Sequence, residues 1–295
     1  MIEYIFLAIS AFLFALMFLF NKGYQKSRGS GFDTVLTFST YTSLASVLLM
    51  LLLCLVGSLT GLSFLSSFTL EFSWFSLLVS LGGAAVSIGY AYFGLKALGI
   101  ANLSLFSIFA MLGGMLLPSV VGILFFGEDL TLPKIGCYLL IIVAVSMTFD
   151  GGKQNKKALV YYFGVFVLNG MSGVVSMIHQ RNTAMAVNST SFMVLKGGVC
   201  AVVCVIWFLI QFKRFPTMKM RECGNISAYA LCNGTGNLLL LIALLTVDGS
   251  VQFPIITGGT MFFSTAVSIA VGEKPKVKTI IASLVAAAST VLMMF

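Results

Sequence analysis

Residues 4–20 read Tyr4-Ile5-Phe6-Leu7-Ala8-Ile9-Ser10-Ala11-Phe12-Leu13-Phe14-Ala15-Leu16-Met17-Phe18-Leu19-Phe20, without a charged side chain. A hydrocarbon core about 30 Å thick needs about 20 such residues as a helix rising about 1.5 Å per residue. Barrel strands would show ten-residue alternation, and this run shows none. The pattern recurs to the end of the chain. It predicts spans over 3–21, 33–56, 72–95, 101–126, 134–149, 158–179, 189–212, 224–246, 250–271 and 277–295. The expected fold is therefore all-α: a polytopic integral membrane protein with ten transmembrane helices.

Composition agrees. Of 295 residues, 59% are hydrophobic and 9% charged, with mean hydropathy +1.06. Soluble domains carry about a quarter charged residues, and here the deficit runs through the whole chain. No length remains for a separate aqueous domain. The N-terminus, Met1-Ile2-Glu3, lacks the basic region of a signal peptide and is expected to stay in the mature protein. Cys54, Cys137, Cys200, Cys204, Cys223 and Cys232 form no C-x-x-C pair and mostly fall in apolar stretches. They read as small buried thiols rather than a disulfide or zinc framework.

The spans are separated by charged, Gly- or Pro-punctuated breaks: Lys22–Arg28, Asp150-Gly151-Gly152-Lys153, Lys213-Arg214-Phe215-Pro216 and Gly272-Glu273-Lys274-Pro275-Lys276. The formal net charge of +8 sits in such loops, which removes nucleic acid as a partner. Odd-numbered loops hold fourteen of the seventeen basic residues: Lys22, Lys26, Arg28, Lys96, Lys153, Lys156, Lys157, Lys213, Arg214, Lys219, Arg221, Lys274, Lys276 and Lys278. The opposite side keeps Lys134 and Arg181. The positive-inside rule then puts both termini outside the cytoplasm.

Phe125-Phe126-Gly127-Glu128 is followed by the fifth span, and Ala270-Val271-Gly272-Glu273 by the tenth. Counting back from each Gly-Glu, Gly113-Gly114 and Gly258-Gly259 fall in register, and Ala97-Leu98 matches Ala243-Leu244 with one residue of slip. Asp33 and Asn188-Ser189, residues of N-cap type, open spans 2 and 7. The unit is thus five helices, over residues 1–150 and 151–295, together one transporter unit. An odd number of crossings inverts the second copy, and inverted repeats with a site between them are a frequent transporter plan.

The pattern Tyr90…Phe93…Lys96-Ala97-Leu98, Pro118, Phe125-Phe126-Gly127-Glu128…Lys134…Gly136 resembles the drug/metabolite transporter superfamily, EamA type. The likeness covers the whole chain, with a more divergent second copy. It implies ten helices in a 5+5 inverted repeat, a central cavity walled mainly by helices 1–4 and 6–9, and ATP-independent transport. It supplies no substrate. Members commonly have cytoplasmic termini; the loop charges here predict the other side.

Lys196 lies seven residues inside span 7, roughly 10 Å below the helix start. A charge at that depth faces a cavity or a partner, or snorkels to the headgroups on its long stem. Gly197 and Gly198 beside it would leave room. Its counterpart in span 2 is near Thr40, within the hydroxyl cluster Thr37-Phe38-Ser39-Thr40-Tyr41-Thr42-Ser43. Asn169 in span 6, Asn233 and Asn237 in span 8, and Tyr90 and Tyr92 in span 3 are deep polar groups that need partners, either other helices or a solute. His179 reads as interfacial. Pro118 and Pro254, with Gly113, Gly114, Gly258 and Gly259, make helices 4 and 9 candidate hinges, although small residues also permit close packing. Glu128 and Glu273 read as hydrated structural termini.

All nine acidic residues lie near span ends, so no mid-membrane carboxylate exchanges a proton. There is no G-x-x-x-x-G-K-[ST], H-E-x-x-H or G-x-S-x-G, and neither a catalytic cluster nor a cofactor or metal set. The sequence predicts a non-enzymatic secondary transporter, a permease or exporter in a bacterial inner membrane. Its solute is a small polar metabolite, amino-acid-like or carboxylate-bearing. The alternatives are an exporter of aromatic or cationic compounds stacking on Tyr90 and Tyr92, and a channel-like or non-transporting membrane protein. Expected partners are the solute and the lipid bilayer, with a homodimer admitted.

Overall fold

In lipid, backbone N–H and C=O groups must bond within their own segment, which leaves the helix as the solution for continuous apolar runs. The computed structural model describes residues 2–60, 69–100, 103–147 and 156–292, and within these the chain forms ten helices. They are α1 (Ile2–Arg28), α2 (Phe32–Thr60), α3 (Trp74–Leu98), α4 (Leu103–Phe125), α5 (Leu132–Ser146), α6 (Lys156–Arg181), α7 (Ser189–Phe212), α8 (Met220–Ala243), α9 (Gly249–Ala270) and α10 (Val277–Leu292). Seven of them (α1, α2, α3, α6, α7, α8 and α9) are long and apolar enough to cross a membrane. The described apolar stretches of α4, α5 and α10 are shorter, over 109–125, 132–144 and 277–289. Outward faces are apolar too: Leu44, Leu48 and Leu55 on α2, and Val202, Ile206 and Ile210 on α7 are exposed. Such faces suit lipid and not water. This is a membrane protein built on transmembrane helices. The expected boundary between residues 150 and 151 lies outside the described residues.

The packing is interleaved. α1 lies against α8 and α9, α4 against α6 and α9, α2 against α7 and α8, and α3 against α6 and α7. α5 packs on α10, which in turn packs on α9. Small residues allow the tightest crossings. A Cβ at Gly113 of α4 would stand 1.7 Å from the Phe166 carbonyl oxygen of α6, and one at Gly259 of α9 would stand 2.9 Å from Ala11 Cβ of α1. Gly113 and Gly259 therefore sit where helices meet. α4 and α9 run unbroken through Pro118 and Pro254. Hydroxyls tie neighbours together: Ser10 Oγ donates to the Gly236 carbonyl at 3.1 Å and Thr257 Oγ1 to the Met111 carbonyl at 3.0 Å.

Two helix ends differ from expectation. α1 continues through the charged stretch Lys22–Arg28, because Tyr24 is buried there and its hydroxyl donates to the Thr34 carbonyl at 3.2 Å. Gly29, with φ of 86°, supplies the stop. Asp33 falls inside the first turn of α2 and not before it. Asn188 does cap α7, its side chain accepting from the Ser191 N–H at 2.8 Å.

The Gly-Glu motifs end α4 and α9 alike. Gly127 and Gly272 have φ of 69° and 80°, the left-handed turn that glycine adopts without a Cβ penalty. Each turn then throws its glutamate onto a neighbouring helix. Glu128 is buried: it accepts from Arg181 Nη2 at 2.9 Å, and from the N–H groups of Gly249 at 3.1 Å and Ser250 at 2.7 Å. That differs from the hydrated terminus expected of it. A carboxylate there offsets the orphan donors at the start of α9. Arg181 also reaches Asp248 at 3.1 Å. At the other end of α9, about 33 Å away over 22 residues, Glu273 pairs with Lys22 of α1 at 2.5 Å.

Candidate functional site

A cavity of about 210 Å³ lies among the helices. Its described lining comes from α1 (Phe14), α2 (Ser43), α3 (Tyr90), α4 (Met111), α6 (Asn169), α7 (Lys196), α8 (Asn233) and α9 (Thr257), with further residues from most of these helices. α5 and α10 contribute nothing to the described lining.

The lining follows helical phase. On α2, Ser39, Thr42, Ser43 and Ser46 form one stripe at spacings of three and four. Asn169, Ser172, Gly173 and Ser176 do the same on α6, and Tyr229, Asn233 and Asn237 on α8. These stripes put hydroxyls and amides inward while the opposite faces meet neighbours or lipid.

Lys196 carries the cavity's charge. Among the described residues it makes no ion pair, and the described lining holds no carboxylate. Its stem rests on α3, where a Cβ at Gly83 would come within 3.1 Å of Lys196 Cε and 3.2 Å of Cδ. Gly197 lines the cavity and also seats α7 on α2; a Cβ there would meet Val47 Cγ2 at 2.8 Å and the Ser43 carbonyl oxygen at 3.3 Å. Gly198 faces open space.

The amides are partly committed. Asn169 Nδ2 donates to the Ala110 carbonyl of α4 at 2.6 Å, a contact that Gly114 makes room for. Asn237 Nδ2 donates to the Asn233 carbonyl and to Asn233 Oδ1, both at 2.8 Å. The side-chain oxygens of Asn169 and Asn237 make no hydrogen bond to other described residues.

Of the residues nominated from sequence, Lys196, Asn169, Asn233, Asn237, Tyr90 and Gly114 line this cavity together. Thr40 and Tyr92 do not. Thr40 is one step off the inward stripe, buried, with Oγ1 donating to the Leu36 carbonyl at 2.8 Å. Tyr92, two residues from Tyr90 and so on another face, stands edge-on to Phe93 at 5.3 Å and Phe32 at 6.4 Å between ring centroids. Gly113, Gly258, Gly259, Pro118 and Pro254 lie outside the described lining. Pro118 instead fills the space at Gly173, where a Cβ would meet its Cγ at 2.5 Å. His179 is buried near the end of α6: its ring stacks on Phe192 at 3.8 Å, with Nε2 3.0 Å from Ser76 Oγ. Sequence reading missed Tyr229, Ser172, Ser176 and Thr257. The phase of the apolar residues around them would have found the first three.

No protein-family model and no curated protein matches the sequence. Among solved structures, the chain is similar to one described only as the crystal structure of a protein. The two share 16% sequence identity at a TM-score of 0.66, over 96% of this chain and 95% of the other. That likeness is one of fold.

Proposed function

We propose that the chain is a secondary transporter that carries a small carboxylate-bearing solute through the central cavity by alternating access. The observation that carries this reading is Lys196: an ammonium inside a membrane helix bundle, lining a cavity and lacking a described counter-ion. Burying a charge there is costly, and an anionic solute offsets it while bound. In the same reading all ten helices cross the bilayer, and residues 1–150 and 151–295 form a 5+5 inverted repeat of the EamA-type drug/metabolite transporter plan. What supports the repeat is the packing itself. Adding five to each helix number turns the α1–α8 contact into α6–α3, α4–α6 into α9–α1 and α2–α8 into α7–α3, and all of these are made. The Gly-Glu pairings Glu128–Arg181 and Glu273–Lys22 exchange in the same way. Residence in a bacterial inner membrane belongs to this reading as well.

An aromatic solute is the second reading, favoured by Phe14, Phe38, Tyr90 and Tyr229 in the lining; a cationic one would find no carboxylate among the described residues there. Uptake and counterflow in proteoliposomes test the proposal. Trapped solute should stimulate exchange, which a channel does not give. Lys196→Met should abolish transport at matched insertion, and Lys196→Arg should retain part of it, because the charge survives in a different shape. Unchanged rate and affinity in Lys196→Met would remove the residue from the site.

A further inference from the structure

Two phenols share the cavity with the ammonium. Tyr90 of α3 lines it, and its hydroxyl is buried without a hydrogen-bond partner. Tyr229 of α8 also lines it, buried, edge-on to Phe38 at 4.7 Å between ring centroids. Its hydroxyl makes no hydrogen bond to another described residue. Tyr90, Tyr229 and Lys196 all line this one cavity, and Cys200, one turn from Lys196 on α7, lines it too. Three donors on three helices thus line one cavity, and no described carbonyl or carboxylate takes them up.

A buried hydroxyl without an acceptor is costly, so structures rarely leave one unless something else fills the site. One ligand group can serve all three donors at once. An ionised carboxylate accepts at two oxygens with about four lone-pair sites, and bonds from an ammonium to it are strong. The same cavity also offers acceptors. Asn169 and Asn237 have their amide donors engaged with carbonyls, which leaves their side-chain oxygens as acceptors in the same cavity.

We propose that Lys196, Tyr90 and Tyr229 form an oxyanion-binding cage, and that the Asn169 and Asn237 oxygens read a hydrogen-bond donor elsewhere on the same solute. The solute class is then a small carboxylate carrying a hydroxyl or amino group. This deepens the transporter reading and rests on it.

Binding to the purified full-length protein, followed by thermal stabilisation, tests the cage. The probes are small 2-hydroxy and 2-amino carboxylates, each paired with its methyl ester. In the unmodified protein the carboxylates should stabilise and the esters should not. Tyr90→Phe and Tyr229→Phe should each weaken carboxylate binding by about three- to tenfold. The empty variants should melt no lower than the parent, since neither hydroxyl bonds to the protein and an unpartnered buried one is costly; a merely structural role would lower the melting of the empty protein instead. Carboxylate binding at parental strength in both variants, with Lys196→Met still losing it, overturns the cage and leaves the anion-carrying cavity standing. If carboxylates and esters behave alike in the unmodified protein, or neither stabilises it, both the cage and the anionic reading fall.

Discussion

Gly83 and Lys196 belong together: the lysine stem occupies the space that a side chain at 83 would fill. Gly83→Val should push the stem aside and lower uptake at matched expression. Gly82→Val, where nothing lies within 4 Å, should leave uptake unchanged, and a side-by-side uptake assay separates the two. Thr40 and Tyr92 give the converse test. Thr40→Val removes a hydroxyl bonded to its own helix, which should cost within about 1 kcal/mol and leave transport intact, as should Tyr92→Phe; uptake kinetics with thermal denaturation measure both. The polar residue types of the cavity were legible from sequence, because an amide or ammonium deep in an apolar span has few reasons to be there. Their facing was less so. Tyr92 shares depth with Tyr90 but not azimuth, and register in the repeat points to Thr40 whereas the stripe Ser39, Thr42, Ser43, Ser46 faces the cavity. Tyr229 carries no signal by type, because an aromatic in a span is unremarkable and only packing reveals its unpartnered hydroxyl.

Helix number and limits came through clearly, since apolar runs and glycine stops are strong local signals. The end of α1 did not, because Tyr24 is held by a partner across the turn. Glycine pairs carry two meanings in sequence, hinge and crossing, and the contacts of Gly113 assign it to a crossing. Gly113→Ala should destabilise the protein by about 1–3 kcal/mol or more from overpacking, whereas Gly136→Ala, with open space around it, should be neutral; melting temperatures of the two variants decide. Glu128 holds the ends of α4, α6 and α9 together through one carboxylate. Glu128→Gln keeps the shape but removes the charge, and loss of the charge-assisted bonds should cost about 1–3 kcal/mol, read in the same melts. Parental stability in that variant would mean the carboxylate is dispensable to the junction.

For the whole molecule, the loop charges predict that both termini lie outside the cytoplasm. C-terminal fusions to alkaline phosphatase and to green fluorescent protein check it, with phosphatase activity and no fluorescence expected. The membrane class followed from composition, because so few charged residues cannot clothe a water-facing surface, and its helical form from unbroken apolar runs. Which helix meets which could not be read that way, since lipid-facing and helix-facing residues are equally apolar and only close crossings tell them apart. The contacts that result run mostly between the first five helices and the last five, and this has a bearing on biosynthesis. A nascent α1 enters the bilayer long before α8 and α9, its main neighbours, exist. At about 5–20 residues per second the ribosome needs on the order of ten to forty seconds to supply them. Until then Ser10 and the α4 glycines lack the neighbours that α8 and α6 later bring. The bundle therefore closes only in the second half of translation, where each new helix completes a contact that an older one has been holding open.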